Sequence, residues 1–403
     1  MEVYLDYNAT TPVSVEVQDA ICDAMDNAWG NPSSSYKLGK VAKSVLDNAR
    51  SKVAEMIGGS SDEILFTSGG TECNNMVIST AIHFFYKDVQ NNIAGLELEK
   101  PHIITTNIEH DSVKLPLERL LNEDKIELTV VRVSVVTGAI NIDDIVDAVR
   151  PNTCLITIML ANNETGVIQP ISPLRSKLKA IAGNTFRSLS PILLHTDAAQ
   201  AIGKIKVDVQ DLDVDFLTIV GHKFYGPRIG ALYYKSGTPL YPIFFGGGQE
   251  RNLRPGTENI CMAAGLGRAS ELVSLNLTRY RSDMIAMCSY LKSSLEKAFG
   301  SVVFHFDDSD KLPNTLSVGF NYENVSGPAI LAIAKNLFAS TGAACHSGGK
   351  SSPILIASGI SSEMASKTLR LSVGRETTKE EIDMAISYLR RATRMLNANS
   401  LNC

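Results

Sequence analysis

The strongest constraint in this sequence is the alternation of short apolar segments with longer amphipathic ones between about Ile64 and Tyr234. The short segments are rich in valine, isoleucine and threonine, which is typical of parallel strands joined by crossover helices. Most of them are followed by polar or glycine-rich residues. Because open α/β sheets bind ligands at the carboxyl ends of their strands, we expect a ligand site there. We predict strands at Ile64–Thr67, His102–Thr106, Leu128–Val133, Cys154–Leu160, Ile192–His195, Phe216–Val220 and Ile229–Tyr234.

The character of the chain changes after the glycine- and proline-rich stretch Phe244–Gly256. Longer helical segments follow, with a strand-like segment among them, so we expect a second and smaller domain. A capping-box pattern at residues 378–381 predicts the start of a last helix that ends near Leu396. The other elements predicted in this part are helices at Ala263–Leu275 and Thr278–Phe299 and a strand at Thr315–Phe320.

Composition narrows the class of function. The 403 residues are 44% hydrophobic and 20% charged, and the net charge of -5 comes from scattered acids and bases. This charge pattern offers no basic face to nucleic acid or lipid, so we expect a small-molecule substrate. No apolar run is long enough to span a bilayer, so we expect a cytoplasmic protein. The seven cysteines are widely spaced and contain no C-x-x-C pair, which favours reduced thiols over disulfides or a structural metal site.

A lysine follows one of the predicted strands almost directly. Phe216–Val220 leads through a glycine and a histidine to Lys223. A desolvated lysine has a lowered pKa and can form a Schiff base with an aldehyde. A surface lysine in a turn fits the same spacing. The residues at the ends of the neighbouring strands distinguish the two interpretations.

Asp197 and a glycine turn support the first interpretation. Asp197 follows the strand Ile192–His195, and a carboxylate at that place can keep a pyridinium nitrogen protonated, although it can also cap a helix. Residues 67–72 form a strand end, a glycine turn and a helix start, which presents free N–H groups to a phosphate. The turn matches neither nucleotide-binding loop pattern, so a single phosphate is favoured, with Thr71 as a hydroxyl donor.

Two further strand ends carry polar side chains. His110 follows His102–Thr106, where an imidazole can stack on a planar ring or move a proton, while a structural histidine is the alternative. Residues 162–164, Asn-Asn-Glu, follow the strand Cys154–Leu160. An amide in that position can hydrogen-bond a substituent of the same ring.

A cysteine and an arginine complete the candidates in the second half. Cys345 lies in a segment of small residues and glycines, 341–350, which favours an exposed loop that can present a nucleophile. Arg370 lies inside an apolar, strand-like run. A buried guanidinium needs an anion, and either a substrate carboxylate or a structural Asp or Glu meets that need.

With these motifs the chain resembles the class V, fold-type I pyridoxal-phosphate family of cysteine desulfurases and selenocysteine lyases, from Leu5 to about Thr378. The resemblance implies an α/β fold with a large domain, built on a mostly parallel seven-stranded sheet, and a smaller α+β C-terminal domain. We assign residues 13–260 to the large, cofactor-binding domain and residues 1–12 and 261–403 to the small one. The motifs that carry the resemblance are Leu5–Pro12, Gly30–Ser34, Thr67–Glu72, Glu109-His110, Asn162–Glu164, Asp197–Gln200, Gly221–Lys223 and Arg254–Thr257.

The resemblance also implies a role for each matching residue, with pyridoxal 5′-phosphate as cofactor. Lys223 is the Schiff-base lysine, Asp197 meets the pyridine nitrogen and His110 stacks on the ring. Cys345 receives the chalcogen from a small amino-acid substrate and passes it to an acceptor, which can be a protein. A homodimer is implied as well, because one position matches a residue that reaches the partner's phosphate. The remaining matches are Asn163 and Gln200 at the ring hydroxyl, Gly70, Thr71 and His222 at the phosphate, Thr257 at the partner's phosphate, and Asn31 and Arg370 at the substrate.

Two positions depart from the usual desulfurase pattern. Val220 replaces a phosphate-binding serine, so the phosphate loses one expected donor, and Asp111 stands where bacterial desulfurases often carry lysine. These features make the chain more similar to the selenocysteine lyases of animals than to the general desulfurases. Our hypothesis is that Asp111 disfavours a cysteine thiolate, whereas a selenol is ionised without help. The alternatives are a cysteine desulfurase, a non-catalytic scaffold and a nucleotide-binding enzyme, the last of which lacks its phosphate loop.

Overall fold

The computed structural model describes residues 1–92, 100–182, 191–323, 325–342 and 351–399. The strands in these residues are β1 (Val3–Tyr4), β2 (Ile64–Thr67), β3 (His102–Thr106), β4 (Glu127–Val131), β5 (Thr153–Thr157), β6 (Leu193–Asp197), β7 (Phe216–Val220), β8 (Gly230–Tyr234), β9 (Val302–Phe304), β10 (Thr315–Phe320), β11 (Leu337–Phe338) and β12 (Thr368–Ser372). The helices are α1 (Val15–Asn27), α2 (Lys37–Met56), α3 (Gly70–Asn92), α4 (Asp111–Asn122), α5 (Ile142–Asp147), α6 (Leu174–Ala182), α7 (Val209–Leu212), α8 (Ile260–Ala298), α9 (Gly327–Ile333), α10 (Pro353–Ala357), α11 (Ser362–Ser366) and α12 (Lys379–Asn399).

Seven of the described strands form the main sheet, in the order β2-β8-β7-β6-β5-β3-β4. Strand β8 is antiparallel to both of its neighbours, and the other pairs are parallel. The predicted mostly parallel seven-stranded sheet is therefore confirmed. The strand predicted at Cys154–Leu160 is shorter in the structure, because the pairing of β5 ends at Thr157. The residues that follow reach the edge of the sheet where the site lies.

The central strands are apolar because both faces of the sheet are covered. Every residue of β5, β6 and β7 is buried. In β7, Leu217 and Ile219 belong to one hydrophobic core, whereas Phe216 belongs to the core on the opposite face, where α3 lies. Successive side chains of a strand point to opposite faces, so the sequence of a strand that is buried on both faces is a continuous apolar run.

A third hydrophobic core surrounds the antiparallel sheet β12-β10-β9. It includes Val3 and Leu5 from the N-terminal segment as well as residues of α8 and α12. The predicted capping box of α12 is confirmed, since Thr378 N donates to Glu381 Oε2 at 2.8 Å and Glu381 N donates to Thr378 Oγ1 at 3.2 Å.

The two helices predicted at Ala263–Leu275 and Thr278–Phe299 are one continuous helix, α8. An exposed leucine, Leu275, interrupts the apolar period, but no glycine or proline breaks the backbone there. The first half of α8 contributes to the core of the main sheet and the second half to the core of the small sheet. The domain boundary at residue 260 therefore stays a prediction. Among the described helices, none is long and apolar enough to cross a membrane.

Candidate active site

A cavity of about 290 Å³ lies at the carboxyl ends of the central strands. Segments that are far apart in sequence form its wall, because parallel strands bring their carboxyl ends to one edge of the sheet. Most of the residues that the sequence singled out meet there: Gly70, Thr71, His110, Asn163, Asp197, Gln200, His222, Lys223 and Arg370.

Lys223 stands on the cavity wall just after β7, at the end of a 3₁₀ turn. Its Nζ donates hydrogen bonds to the backbone O of Asn8 and of Ala9, at 2.8 Å each. The side chain is partly buried and bonded to the N-terminal segment. The structure therefore places Lys223 against the interior and not in a surface turn.

Asn8 joins several of these groups and was not assigned a role from the sequence. The residue is fully buried, and its backbone O accepts from Lys223 Nζ and from Gln200 Nε2, the latter at 2.9 Å. Its Oδ1 accepts from Lys204 Nζ at 3.0 Å, and Lys204 Nζ also donates to Gln200 Oε1 at 2.7 Å. Burial, followed by the charges of Lys223 and Arg370, holds the pKa of Lys204 well below its usual value. The cluster orients the Gln200 amide with its NH₂ group toward Asn8.

Asp197 ends β6, and its side chain is 8% exposed. Its Oδ2 accepts from Asn74 Nδ2 at 2.8 Å, and its Oδ1 accepts from the backbone N–H of Ala199 at 3.0 Å. The second bond stabilises the turn after the strand, which is a capping role. The carboxylate also lines the cavity, so it can act on a ligand there at the same time.

His110 is the N-cap of α4, and its Nδ1 accepts from the backbone N–H of Ser112 at 3.1 Å. The Ser112 Oγ lies 2.7 Å from the same nitrogen. Asp111 lies in the first turn of the helix and lines a neighbouring groove of about 870 Å³ between α3 and α4, which meets the cavity at Thr71, His110 and Ser112. Asp111 therefore lines the groove next to His110 and does not line the cavity.

The start of α3 forms another wall of the cavity. A Cβ added to Gly70 would lie 2.6 Å from Cγ2 of Val220, so this position has room only for glycine. Backbone N–H groups at the start of a helix suit a phosphate, and Thr71 adds a hydroxyl. His222 completes this end: burial, followed by the charges of Lys223 and Arg228, lowers its pKa to about 4, so the ring is neutral near pH 7.

Arg370 lies in β12 and is 3% exposed. Its Nη2 donates to Asp6 Oδ1 at 2.6 Å and its Nη1 donates to the backbone O of Asn163 at 2.9 Å. Among the described residues, its buried Nε has no hydrogen-bond partner. The guanidinium thus has a structural carboxylate partner and also lines the cavity. The first observation matches one of the two alternatives left open by the sequence, and binding of a substrate carboxylate stays a prediction.

Two of the remaining candidates, Asn31 and Thr257, do not line this cavity. Asn31 is exposed, and its Oδ1 accepts from the backbone N–H of Ser33 at 2.9 Å. Thr257 is exposed and lines a separate cavity of about 300 Å³ that also contains Arg254. Cys345 lies outside the described residues. The predicted roles of these three residues stay predictions.

The donor set of the cavity suits pyridoxal phosphate. An amine for an aldehyde, a buried carboxylate for a ring nitrogen and a helix start for a phosphate all face one space. The helix start can pack this closely on β7 because it has a glycine, where a Cβ would meet Val220. The residues present therefore fit this cofactor.

The chain belongs to the aminotransferase class-V family, whose model matches residues 3–384. A selenocysteine lyase of Rattus norvegicus is 50% identical, covering 98% of this chain and 95% of the relative. The cysteine desulfurase IscS of Dictyoglomus turgidum is 38% identical, covering 99% of this chain and 96% of the relative. A solved NifS-like protein is similar with a TM-score of 0.86 and 32% identity, covering 98% of this chain and all of that one. The fold and the family expected from the sequence are thereby confirmed.

Proposed function

We propose that this chain is a pyridoxal 5′-phosphate-dependent lyase that converts L-selenocysteine to L-alanine and releases the selenium in reduced form. The observation that carries the preference for selenium is the identity over nearly the whole chain, which is 50% to a selenocysteine lyase and 38% to a cysteine desulfurase. The cavity supports the chemistry, because it joins an amine, a carboxylate and a helix start.

Five residues would hold the aldehyde, the ring nitrogen and the phosphate of the cofactor. Lys223 Nζ would hold the aldehyde carbon and Asp197 would keep the ring nitrogen protonated. Gly70 and Thr71, at the start of α3, together with the neutral ring of His222, would hold the phosphate. When bound, pyridoxal phosphate withdraws electrons from the substrate's Cα. For the cofactor's ring hydroxyl we propose the two amides that line the same cavity, of Asn163 and Gln200.

Lys223 is the base we propose for the substrate's Cα proton. Two of its partners, the backbone oxygens of Asn8 and Ala9, are neutral acceptors that direct the amine without neutralising its charge. An amine held within hydrogen-bonding reach of the substrate can take up the proton directly. The N-terminal segment therefore has a part in the site, because it orients the amine.

Arg370 would bind the carboxylate of the substrate, with Asn31 as the second proposed contact. Its ion pair with Asp6 and its bond to the Asn163 backbone hold the guanidinium plane in place before substrate arrives. A prepositioned guanidinium loses little conformational entropy on binding, and a carboxylate fits its fork with two hydrogen bonds. This arrangement suits the carboxylate of an amino-acid substrate.

For the selenium we propose transfer to Cys345. The thiolate takes the selenium atom, and the electron pair of the C–Se bond stays with the carbon, which gains a proton and leaves as alanine. A thiol reductant, or an acceptor protein, then reduces the resulting perselenide and returns Cys345 to its thiolate form. Asp111 is proposed to disfavour cysteine at this step, and Asp111→Lys tests it: an unchanged ratio of selenocysteine to cysteine turnover would remove Asp111 from the mechanism.

We further propose a homodimer, with Thr257 of one subunit at the phosphate of the other. Thr257 is exposed and lies off its own chain's cavity, and Phe245, earlier in the same segment, is 90% exposed. Sedimentation of the loaded protein tests the dimer. We also propose a cytosolic location, because the cysteines among the described residues are free thiols, which is typical of a reducing compartment.

The first experiment measures alanine release from selenocysteine and from cysteine by the purified, cofactor-loaded protein. We expect fast release from selenocysteine and little from cysteine. Comparable rates would make the chain a cysteine desulfurase, and no alanine from either would favour a non-catalytic scaffold. Lys223→Ala should abolish the release, whereas Lys206→Ala, at an exposed lysine, is the matched control.

A further inference from the structure

A buried amide connects two of the cavity's residues without lining the cavity itself. Asn74 lies in α3 and is fully buried. Its Nδ2 donates to Asp197 Oδ2 and to Ser112 Oγ, at 2.8 Å each. Ser112 Oγ in turn lies 2.7 Å from Nδ1 of His110. A continuous hydrogen-bonded path therefore runs from Asp197 to His110.

Asp197 determines the orientation of this amide. Both carboxylate oxygens accept hydrogen bonds, as an ionised carboxylate does. The NH₂ group of Asn74 must therefore face Asp197, because its Oδ1 would be repelled there. The Oδ1 then faces Thr218, whose hydroxyl donates to it at 2.7 Å.

The buried side chains beyond Thr218 agree with this orientation. Since Thr218 uses its proton on Asn74, its Oγ1 must accept from His195 Nε2, which is 3.0 Å away. His195 Nδ1 then accepts from the Thr157 hydroxyl at 2.8 Å. A neutral ring is required for this pattern, and burial lowers the pKa of His195 to about 4. The hydrogen bonds from Asn74 through Thr218 and His195 to Thr157 thus have defined directions.

The same reasoning determines where the proton of His110 lies. Ser112 Oγ accepts from Asn74 and lies 2.7 Å from Nδ1 of His110, so its own proton can be donated to that nitrogen. The backbone N–H of Ser112 also donates to that nitrogen. Because two donors face Nδ1, the nitrogen carries no proton, and the neutral ring has its proton on Nε2.

We infer that Asn74 is a positioning residue that links Asp197 to His110 and, through Ser112, holds the His110 ring as the neutral tautomer protonated on Nε2. The link itself depends only on the side chains described, whereas its use in catalysis rests on the proposed function. His110 then acts as a hydrogen-bond donor toward the cofactor or the chalcogen. It cannot remove a proton at Nε2, because that nitrogen is already protonated.

The inference is tested by NMR of ¹⁵N-histidine-labelled, cofactor-loaded protein, with His110 assigned by its loss in His110→Gln. The wild type should show the Nε2–H tautomer. In Asn74→Leu and in Ser112→Ala, the Nδ1 resonance should move toward that of a nitrogen with fewer hydrogen bonds. Asn48→Leu is the matched control: it replaces asparagine by leucine at an exposed position of α2 and should leave the Nδ1 resonance unchanged.

A second measurement gives the dissociation constant of pyridoxal phosphate. Asn74→Leu removes a hydrogen bond to a charged carboxylate, so we expect binding to weaken by about 10- to 100-fold. Ser112→Ala keeps that bond and should weaken binding less. Neither measurement depends on which amino acid is the substrate, so a failure here is distinct from a failure of the alanine assay.

Three results would overturn the inference. One is a wild-type His110 ring with its proton on Nδ1 or on both nitrogens. Another is an Nδ1 resonance that moves in neither variant. The third is an Asn74→Leu protein with a lower melting temperature but the same cofactor affinity and tautomer signals, which would make Asn74 only a structural residue. If Asn74→Leu does not fold, the test uses Ser112→Ala alone: a shifted Nδ1 resonance of His110 supports the inference and an unshifted one overturns it.

Discussion

Replacing Gly70 by alanine puts a methyl group between the start of α3 and the end of β7. The added Cβ would lie 2.6 Å from Val220 Cγ2 and 3.4 Å from Thr218 Cγ2. Carbon atoms make favourable contact at about 3.5–4.0 Å, so α3 or Val220 must move by about 1 Å. Because β7 is buried in the centre of the sheet, we expect the helix start to move, together with the N–H groups proposed for the phosphate.

The cost of this movement has two parts. Overpacking of a filled site destabilises by about 1–3 kcal/mol. The gain of alanine over glycine applies to helix interiors and is small at Gly70, the first residue of α3, so the net loss in the free energy of unfolding stays at about 1–3 kcal/mol. The displaced N–H groups add a second effect, which we expect to be about a tenfold weaker binding of pyridoxal phosphate, equivalent to about 1.4 kcal/mol.

Thermal unfolding and a cofactor titration measure the two effects. Gly69→Ala is the matched control, because its Cβ would meet no atom within 4 Å. Gly70→Ala combined with Val220→Ala should regain the cofactor affinity of Val220→Ala alone, since the clashing methyl is gone. The steric argument is refuted if Gly69→Ala is as harmful as Gly70→Ala, or if the double variant binds no better than Gly70→Ala.

Two further predictions concern pH and substrate. The pKa values of the buried His102, His195 and His305 are lowered to about 4 by burial, from 6.5, so the unfolded chain binds more protons and stability falls as the pH drops from about 6.5 to about 4. The pKa of His222 is lowered to about 4 as well, so four histidines contribute. Burial raises the pKa of Glu109 to about 8, which opposes this by one proton above pH 4.5, and the net three protons give at most about 4 kcal/mol per pH unit near pH 5. Urea unfolding between pH 5 and 6.5 measures the slope, and greater stability at pH 5 would contradict it. Arg370→Lys should raise KM for the amino acid by about 10- to 100-fold, because lysine offers no two-pronged contact, and an unchanged KM would exclude Arg370 from carboxylate binding.

The strands were predictable because their signal is local. β7 and β10 have the predicted bounds, Phe216–Val220 and Thr315–Phe320, since β-branched and apolar residues follow one another without interruption. The continuous helix α8 was not predicted, because an exposed Leu275 looks like an end of the apolar period. Whether a helix continues past such a residue depends on what its two halves contact, and those contacts lie far away in the sequence.

The cavity residues were predictable for a related reason. Lys223 and His110 follow strands and Asp197 ends one, and a parallel sheet puts the carboxyl ends of its strands on one edge whatever the strand order. Asn74 was missed, although its spacing from Val77 and Ile78 puts a polar group on an apolar helix face, which is a sign of a buried partner.

The sequence by itself determined the class of fold through its local periodicity, and most of the side chains that face the cavity through the residues at strand ends. The family was indicated by the resemblance of the motifs. Only the tertiary structure decided the partners of those side chains. Arg370 bonds to Asp6, which is 364 positions away, and the orientation of Asn74 depends on Asp197, which is 123 positions away. Hydrogen bonds act over about 3 Å, so their partners and directions exist only once the chain has folded.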